Sequence, residues 1–127
     1  MTASSLMDRP VIWKVLSEMY LDTELTERGY DYIATKLNQA SCGLKEAQSI
    51  DYYEVAPAVG LNLLSTAGVW TAFETSWLNE RCQKNMKSKG SWVFMLKCHF
   101  LQLLIKGIRR ENWKHLTQAI KKVSATK

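Results

Sequence analysis

Three pairs of carboxylates have the spacing for acid/base chemistry: Asp22 with Glu24, Glu27 with Asp31, and Asp51 with Glu54. Such work needs two carboxyls whose surroundings push their pKa values apart. Short spacings of this kind are equally ordinary on a solvated helix, so the pairs alone do not specify an enzyme. Glu54 is the one expected to hold a special structural position, accepting backbone hydrogen bonds where Pro57 bends the chain. The two histidines are His99, inside an apolar run, and His115, in a basic tail. His99 follows Cys98 directly, and adjacent residues of a helix point in different directions. His99 is therefore expected to be a buried or partly buried structural residue.

Cys42, Cys82 and Cys98 are odd in number and form no CxxC pair, which speaks against a disulfide framework and against a zinc site. Reduced thiols acting as small buried hydrophobes are the expectation. The glycines form neither GxxxxGK[ST] nor GxGxxG, so no phosphate-cradling loop is predicted. The sequence thus offers no catalytic, cofactor-binding or metal-ligating set. An enzyme using Glu54 with a neighbouring carboxylate ranks third among its functional readings.

Charge carries more information than these groups do. The net +5 of the 127 residues conceals a division: residues 1–80 hold 11 acidic and 5 basic side chains, net −6, whereas residues 81–127 hold 1 acidic and 12 basic, net +11. Such asymmetry bears on partners and association rather than on fold. It has two uses, attraction between the halves of one domain or recognition of an outside partner. The acidic set Asp22, Glu24, Glu27 and Asp31 is the first candidate contact for a protein partner. The basic set Arg109, Arg110, Lys114, Lys121 and Lys122 is the alternative surface, for phosphates. Trp113 is expected to face inward there rather than to interleave with the lysines as a stacking platform.

The elements that must position these residues read as helices. Pro10 suits a first helical turn, and Ile12, Val15, Leu16, Met19 and Tyr20 recur on one face of a helix to Tyr20. Thr23 to Thr26 can cap a second helix, whose stripe is Tyr30, Ile33, Ala34 and Leu37 and whose stop is Gly43. Leu44 to Val55 gives a third helix with Asp51 outward and a kink at Pro57. Thr75 and Ser76 cap a fourth, carrying Trp77, Leu78 and Cys82. Residues 84–90 read as a mobile basic loop and residues 1–8 as flexible. A fifth helix, Ser91 to Lys106, is apolar on nearly all sides. Such a helix is central or covered by a partner, and the central position is the expectation. Gly107 should end it, before a last helix from Glu111 to Val123 with Trp113, Leu116, Ile120 and Val123 inward. No stretch alternates with a period of two, so the fold class is all-α, a single-domain bundle of about five to six helices. The longest apolar stretch is about 14 residues against the ~20 of a spanning helix, and no membrane span is predicted. The N-terminus lacks a secretory pattern, and a cytoplasmic location is the expectation.

Arg9-Pro10-Val11, the run Leu21-Asp22-Thr23-Glu24-Leu25, Glu54-Val55-Ala56-Pro57, Asn62-Leu63-Leu64-Ser65 and Ala67-Gly68-Val69-Trp70 with Trp77-Leu78 occur in that order. Together, over residues 9–80, they resemble an uncharacterised family of small bacterial cytosolic proteins. Ile12 is an extra residue before Trp13, and Val69 stands where the pattern carries a polar or acidic residue. The resemblance implies a bacterial, cytosolic origin and carries over no catalytic residue. Small helical bacterial proteins of this kind are often partners of a larger protein, immunity proteins among them. The expected function is accordingly non-enzymatic binding, in its most concrete form an immunity protein that neutralises a cognate toxin by direct contact. Nucleic-acid binding through the basic half is the alternative.

Overall fold

The first helix, α1, spans Arg9–Ser17 with Pro10 in its first turn, and a 3-10 turn, Glu18–Tyr20, continues it. Its inward face buries Ile12, Trp13, Val15 and Leu16. The extra Ile12 is therefore a core residue. The computed structural model describes residues 8–20, 25–60 and 74–125. Asp22, Glu24, residues 1–7 of the expected flexible start, and the stretch from Asn62 to Trp70 lie outside the described residues.

Helix α2, Glu27–Gln39, starts where Thr26 accepts the Gly29 N–H on its hydroxyl at 3.3 Å, and it buries the expected stripe of Tyr30, Ile33, Ala34 and Leu37. Its stop differs from expectation. Ser41 takes the left-handed conformation, φ 56°, while the Cys42 N–H reaches the Leu37 carbonyl at 2.9 Å and the Ser41 N–H reaches Asn38 at 3.0 Å. That pair of bonds is a Schellman ending with serine at the position glycine favours. Gly43 instead begins the next helix, in extended conformation.

Helix α3, Leu44–Ile50, runs without a break through a π turn, Asp51–Val55, into the short α4, Ala56–Val59. Pro57 has no N–H to give, and in a plain α-helix its ring would strike the carbonyl four residues back. The wider turn, with the Ala56 N–H bonded to the Asp51 carbonyl, accommodates it. Asp51 follows Ala47 by four positions and Leu44 by seven, which sets it on the inward side of this helix, so it is fully buried and not outward as predicted.

Helix α5, Thr75–Lys87, is capped by Glu74, whose carboxylate accepts the Ser76 and Trp77 N–H groups at 3.0 and 2.9 Å. The Ser76 hydroxyl, which also donates to this carboxylate, and then those two N–H groups hold the Glu74 carboxyl below its ordinary range. The helix covers Lys84 and Lys87, so the expected loop over 84–90 shrinks to a turn at Ser88, Lys89 and Gly90.

Helix α6, Trp92–Ala125, is a single rod of 34 residues. It passes through Gly107 because glycine costs a helix only ~1 kcal/mol relative to alanine, a penalty outweighed by the packing of α6 along α2. Tyr30 of α2 donates to the Asn112 side chain at 3.0 Å, and Asn112 in turn donates to the Met19 carbonyl at 3.2 Å. One side of α6 is in the core: Cys98, Leu101, Ile105, Trp113, Leu116 and Ala119. The fold is an all-α bundle, with no strand among the described residues. No helix among them is long and apolar enough to cross a membrane.

Candidate functional site

The π turn places two carboxylates, three positions apart, wholly inside the bundle, and both are 0% exposed. Burying an ionised carboxylate is costly unless charges and hydrogen bonds compensate it. Asp51 accepts the Tyr20 hydroxyl at 2.8 Å, the Trp113 indole N–H at 2.8 Å and the Arg109 Nε at 2.9 Å. Glu54 accepts the Trp13 indole N–H at 2.7 Å and pairs with Lys89 and, at 3.4 Å, with Arg9. Each carboxylate therefore holds one tryptophan and at least one cation. Burial raises the Asp51 carboxyl above its ordinary range, while Arg109 and the two neutral donors oppose that rise. Burial, with the Asp51 charge added, pushes the Tyr20 phenol well up, so it stays protonated and donates.

The predicted use of Glu54 is thus only half right in kind. It is structurally special, but its partners are side chains, and it is its backbone carbonyl that accepts from Asn85, at 2.9 Å. Both carboxylates are enclosed and taken up by donors, which leaves neither an open side for a substrate. The thiols are equally withdrawn: burial pushes Cys42 up to about 12 and raises Cys82 and Cys98 as well. Among the described residues no group of three His, Cys, Asp or Glu side chains is placed to hold a metal ion.

The acidic and basic halves meet within the one chain, at its surface as well as in its interior. Lys122 pairs with Asp31 at 2.9 Å and with Glu27 at 3.5 Å, so two members of the predicted acidic contact already face a cation of the chain itself. Arg109 is likewise committed, to Asp51 and to the Gln48 carbonyl at 3.3 Å. Of the alternative basic set, Arg110, Lys114 and Lys121 remain exposed on α6, and Trp113 is buried as expected.

Two surface features around α6 differ from the expected arrangement. His99 is exposed rather than embedded, and its Nδ1 meets the Tyr52 hydroxyl. Around this pair a cleft of about 540 Å³ opens between the π turn and α6, lined by Tyr52 from the former and by His99, Gln102, Leu103, Lys106, Arg109 and Arg110 from the latter. The second feature is the outward face of α6. Trp92, Leu96, Phe100 and Leu103 fall on one side at 3.6 residues per turn and are 73, 57, 65 and 72% exposed. The expected central placement of this stretch is corrected accordingly: only Cys98, Leu101 and Ile105 of the run from Trp92 to Ile105 are buried, because one side of the rod rests on the bundle and the other faces away. Farther along, Arg110, Lys114 and Lys121 continue the same line with cations. The even distribution of apolar residues around the helix was the sequence signal for this surface.

No curated protein and no solved structure matches the chain. A family model matches residues 7–119, well past the stretch over which the sequence motifs run and across the whole of the π turn and most of α6. The chain belongs to that family, described as Domain of unknown function (DUF7079).

Proposed function

We propose that this protein is a non-enzymatic binding protein that docks a protein partner on the outward face of α6, and that it is, in its most specific form, an immunity protein holding a cognate toxin by direct contact in a bacterial cytoplasm. The observation that carries the reading is the row Trp92, Leu96, Phe100 and Leu103, 57–73% exposed on a helix packed along its other side. Contiguous exposed apolar surface of this kind marks association sites, and buried aromatic anchors supply most of the energy of protein interfaces. The row is flanked by Lys97 and Lys106 and continued by Arg110, Lys114 and Lys121, all exposed. Electrostatic complementarity therefore selects a partner with an apolar patch and an acidic rim, and disfavours a second copy of the same basic face. The enclosure of Asp51 and Glu54 and the withdrawn thiols support a role without chemistry. The immunity form rests on the class of small helical partners alone.

The alternative, nucleic-acid binding, is supported by the alignment of Arg110, Lys114 and Lys121 on one exposed face, without an aromatic residue between them to stack on bases. One experiment separates the readings. A photo-crosslinking residue at Phe100 in the source cell is expected to capture one defined protein. With that protein purified, Leu96→Gln together with Phe100→Gln should weaken binding about 30-fold or more with an unchanged circular dichroism spectrum. If the partner is a toxin, co-expression of the wild type, and not of the variant, restores growth. Capture of nucleic acid, with binding flattened in its salt dependence by Lys114→Gln and Lys121→Gln, establishes the alternative; capture of lipid alone overturns both.

A further inference from the structure

The cleft between the π turn and α6 has a composition that docking along the outward face does not require. Three cations line it, Lys106, Arg109 and Arg110, and among the described residues no carboxylate does. The Arg109 guanidinium is fixed by Asp51 and the Gln48 carbonyl, and lies 5.4 Å from the centre of the Tyr52 ring. With Arg109 matched by Asp51, the uncompensated charge of the cleft is that of Lys106 and Arg110. Gln102 adds a second, independent feature: its Nε2 is buried and has no acceptor among the described residues. A buried donor left unsatisfied is costly, and a turn of the Gln102 side chain toward an oxygen in the cleft removes that cost. Tyr52 and the side of Leu103 provide an apolar wall, and the volume of about 540 Å³ falls within the range of small-molecule sites, roughly 300–1,000 Å³.

We propose that this cleft binds a small organic oxyanion. A phosphate or carboxylate oxygen takes the Gln102 N–H, Lys106 and Arg110 meet its charge, and an aromatic or aliphatic body lies against Tyr52 and Leu103. The cleft shares Leu103 and Arg110 with the outward face of α6, and its binding is measured on the chain alone, where no protein covers that face. Lys106, Arg110 and Leu103 are exposed, so their substitution leaves the fold intact. The test is an amide-shift titration of the full chain with phenyl phosphate, compared with benzoate, inorganic phosphate and phenol. Saturable shifts around Tyr52 and from His99 to Arg110 are expected. Lys106→Gln with Arg110→Gln should weaken phenyl phosphate about tenfold or more, as the loss of hydrogen bonds to charged groups implies. Leu103→Ala should weaken phenyl phosphate and leave inorganic phosphate unchanged, and the tighter of phenyl phosphate and benzoate identifies the headgroup. The proposal is overturned if phenol binds as tightly as phenyl phosphate, if Lys114→Gln with Lys121→Gln weakens binding equally, or if no saturation is reached by roughly 10 mM.

Discussion

Asp51 sits where a carboxylate is least comfortable, and three donors from two parts of the chain make the position tolerable: Tyr20 after α1, and Arg109 and Trp113 one turn apart on α6. Removing one partner of such a set costs more than the set contributes, because the remaining groups stay buried and unpaired. Asp51→Asn replaces one acceptor oxygen by an N–H₂ that faces donors. Its unfolding free energy in urea should fall by about 3–5 kcal/mol, and a variant as stable as the wild type would show that the cluster is not what holds the π turn. The pH dependence has a definite sign. A carboxyl whose folded pKa is raised, as burial raises Asp51, contributes stability that is fully present below the unfolded value and is lost as the pH rises through the folded one. The difference between wild type and Asp51→Asn should therefore narrow as the pH is raised from about 4. A difference that widens instead means that Arg109, rather than burial, dominates the carboxyl.

At the level of elements, two positions carry a local cost that packing covers, and each can be relieved. Ser41 ends α2 in the left-handed region, where a Cβ is unfavourable by roughly 1–2 kcal/mol. Ser41→Gly should raise the unfolding free energy by about 1 kcal/mol after the greater flexibility of glycine in the unfolded chain is deducted. Gly107 lies mid-helix, and a Cβ there meets nothing within 4 Å. Gly107→Ala should add ~1 kcal/mol as helix propensity, and thermal melts of both variants check the two claims. These positions also show what was legible. The stripe of α2 and the start of α1 follow from spacing, since apolar periodicity and proline at the first turn are local signals. The ending of α2, the burial of Asp51 and the fusion of two predicted helices into α6 were not legible. Each is decided by tertiary packing that overrides a local preference: Ser41 held by its two backbone bonds, Asp51 drawn in by Arg109, and Gly107 carried by the contact of α6 with α2. The cleft was hidden for the same reason, because Tyr52 and His99 are 47 positions apart and meet only once α6 is laid beside the π turn.

Across the whole molecule, the charge division visible in the sequence resolves into ion pairs that stitch the halves together, Lys122 to Asp31 and Arg109 to Asp51 among them, while Arg110, Lys114 and Lys121 line the outward side of α6. That helix therefore has two apolar sides with different duties, and single truncations should separate them. Leu101 is 9% exposed and belongs to the core, where Leu→Ala removes burial and leaves a cavity, at a cost of about 2–5 kcal/mol. Leu104 lies three residues on and is 50% exposed, so the same truncation should shift stability by no more than about 0.5 kcal/mol. Partner binding should respond in the opposite sense. Leu101→Ala, measured under conditions in which it remains folded, keeps the outward row of Trp92, Leu96, Phe100 and Leu103 and should bind normally, whereas Leu104→Ala, at the edge of that row, should weaken binding. Equal losses of stability in the two variants would mean that the outward side is itself part of the core, and the docking face would have to be sought elsewhere.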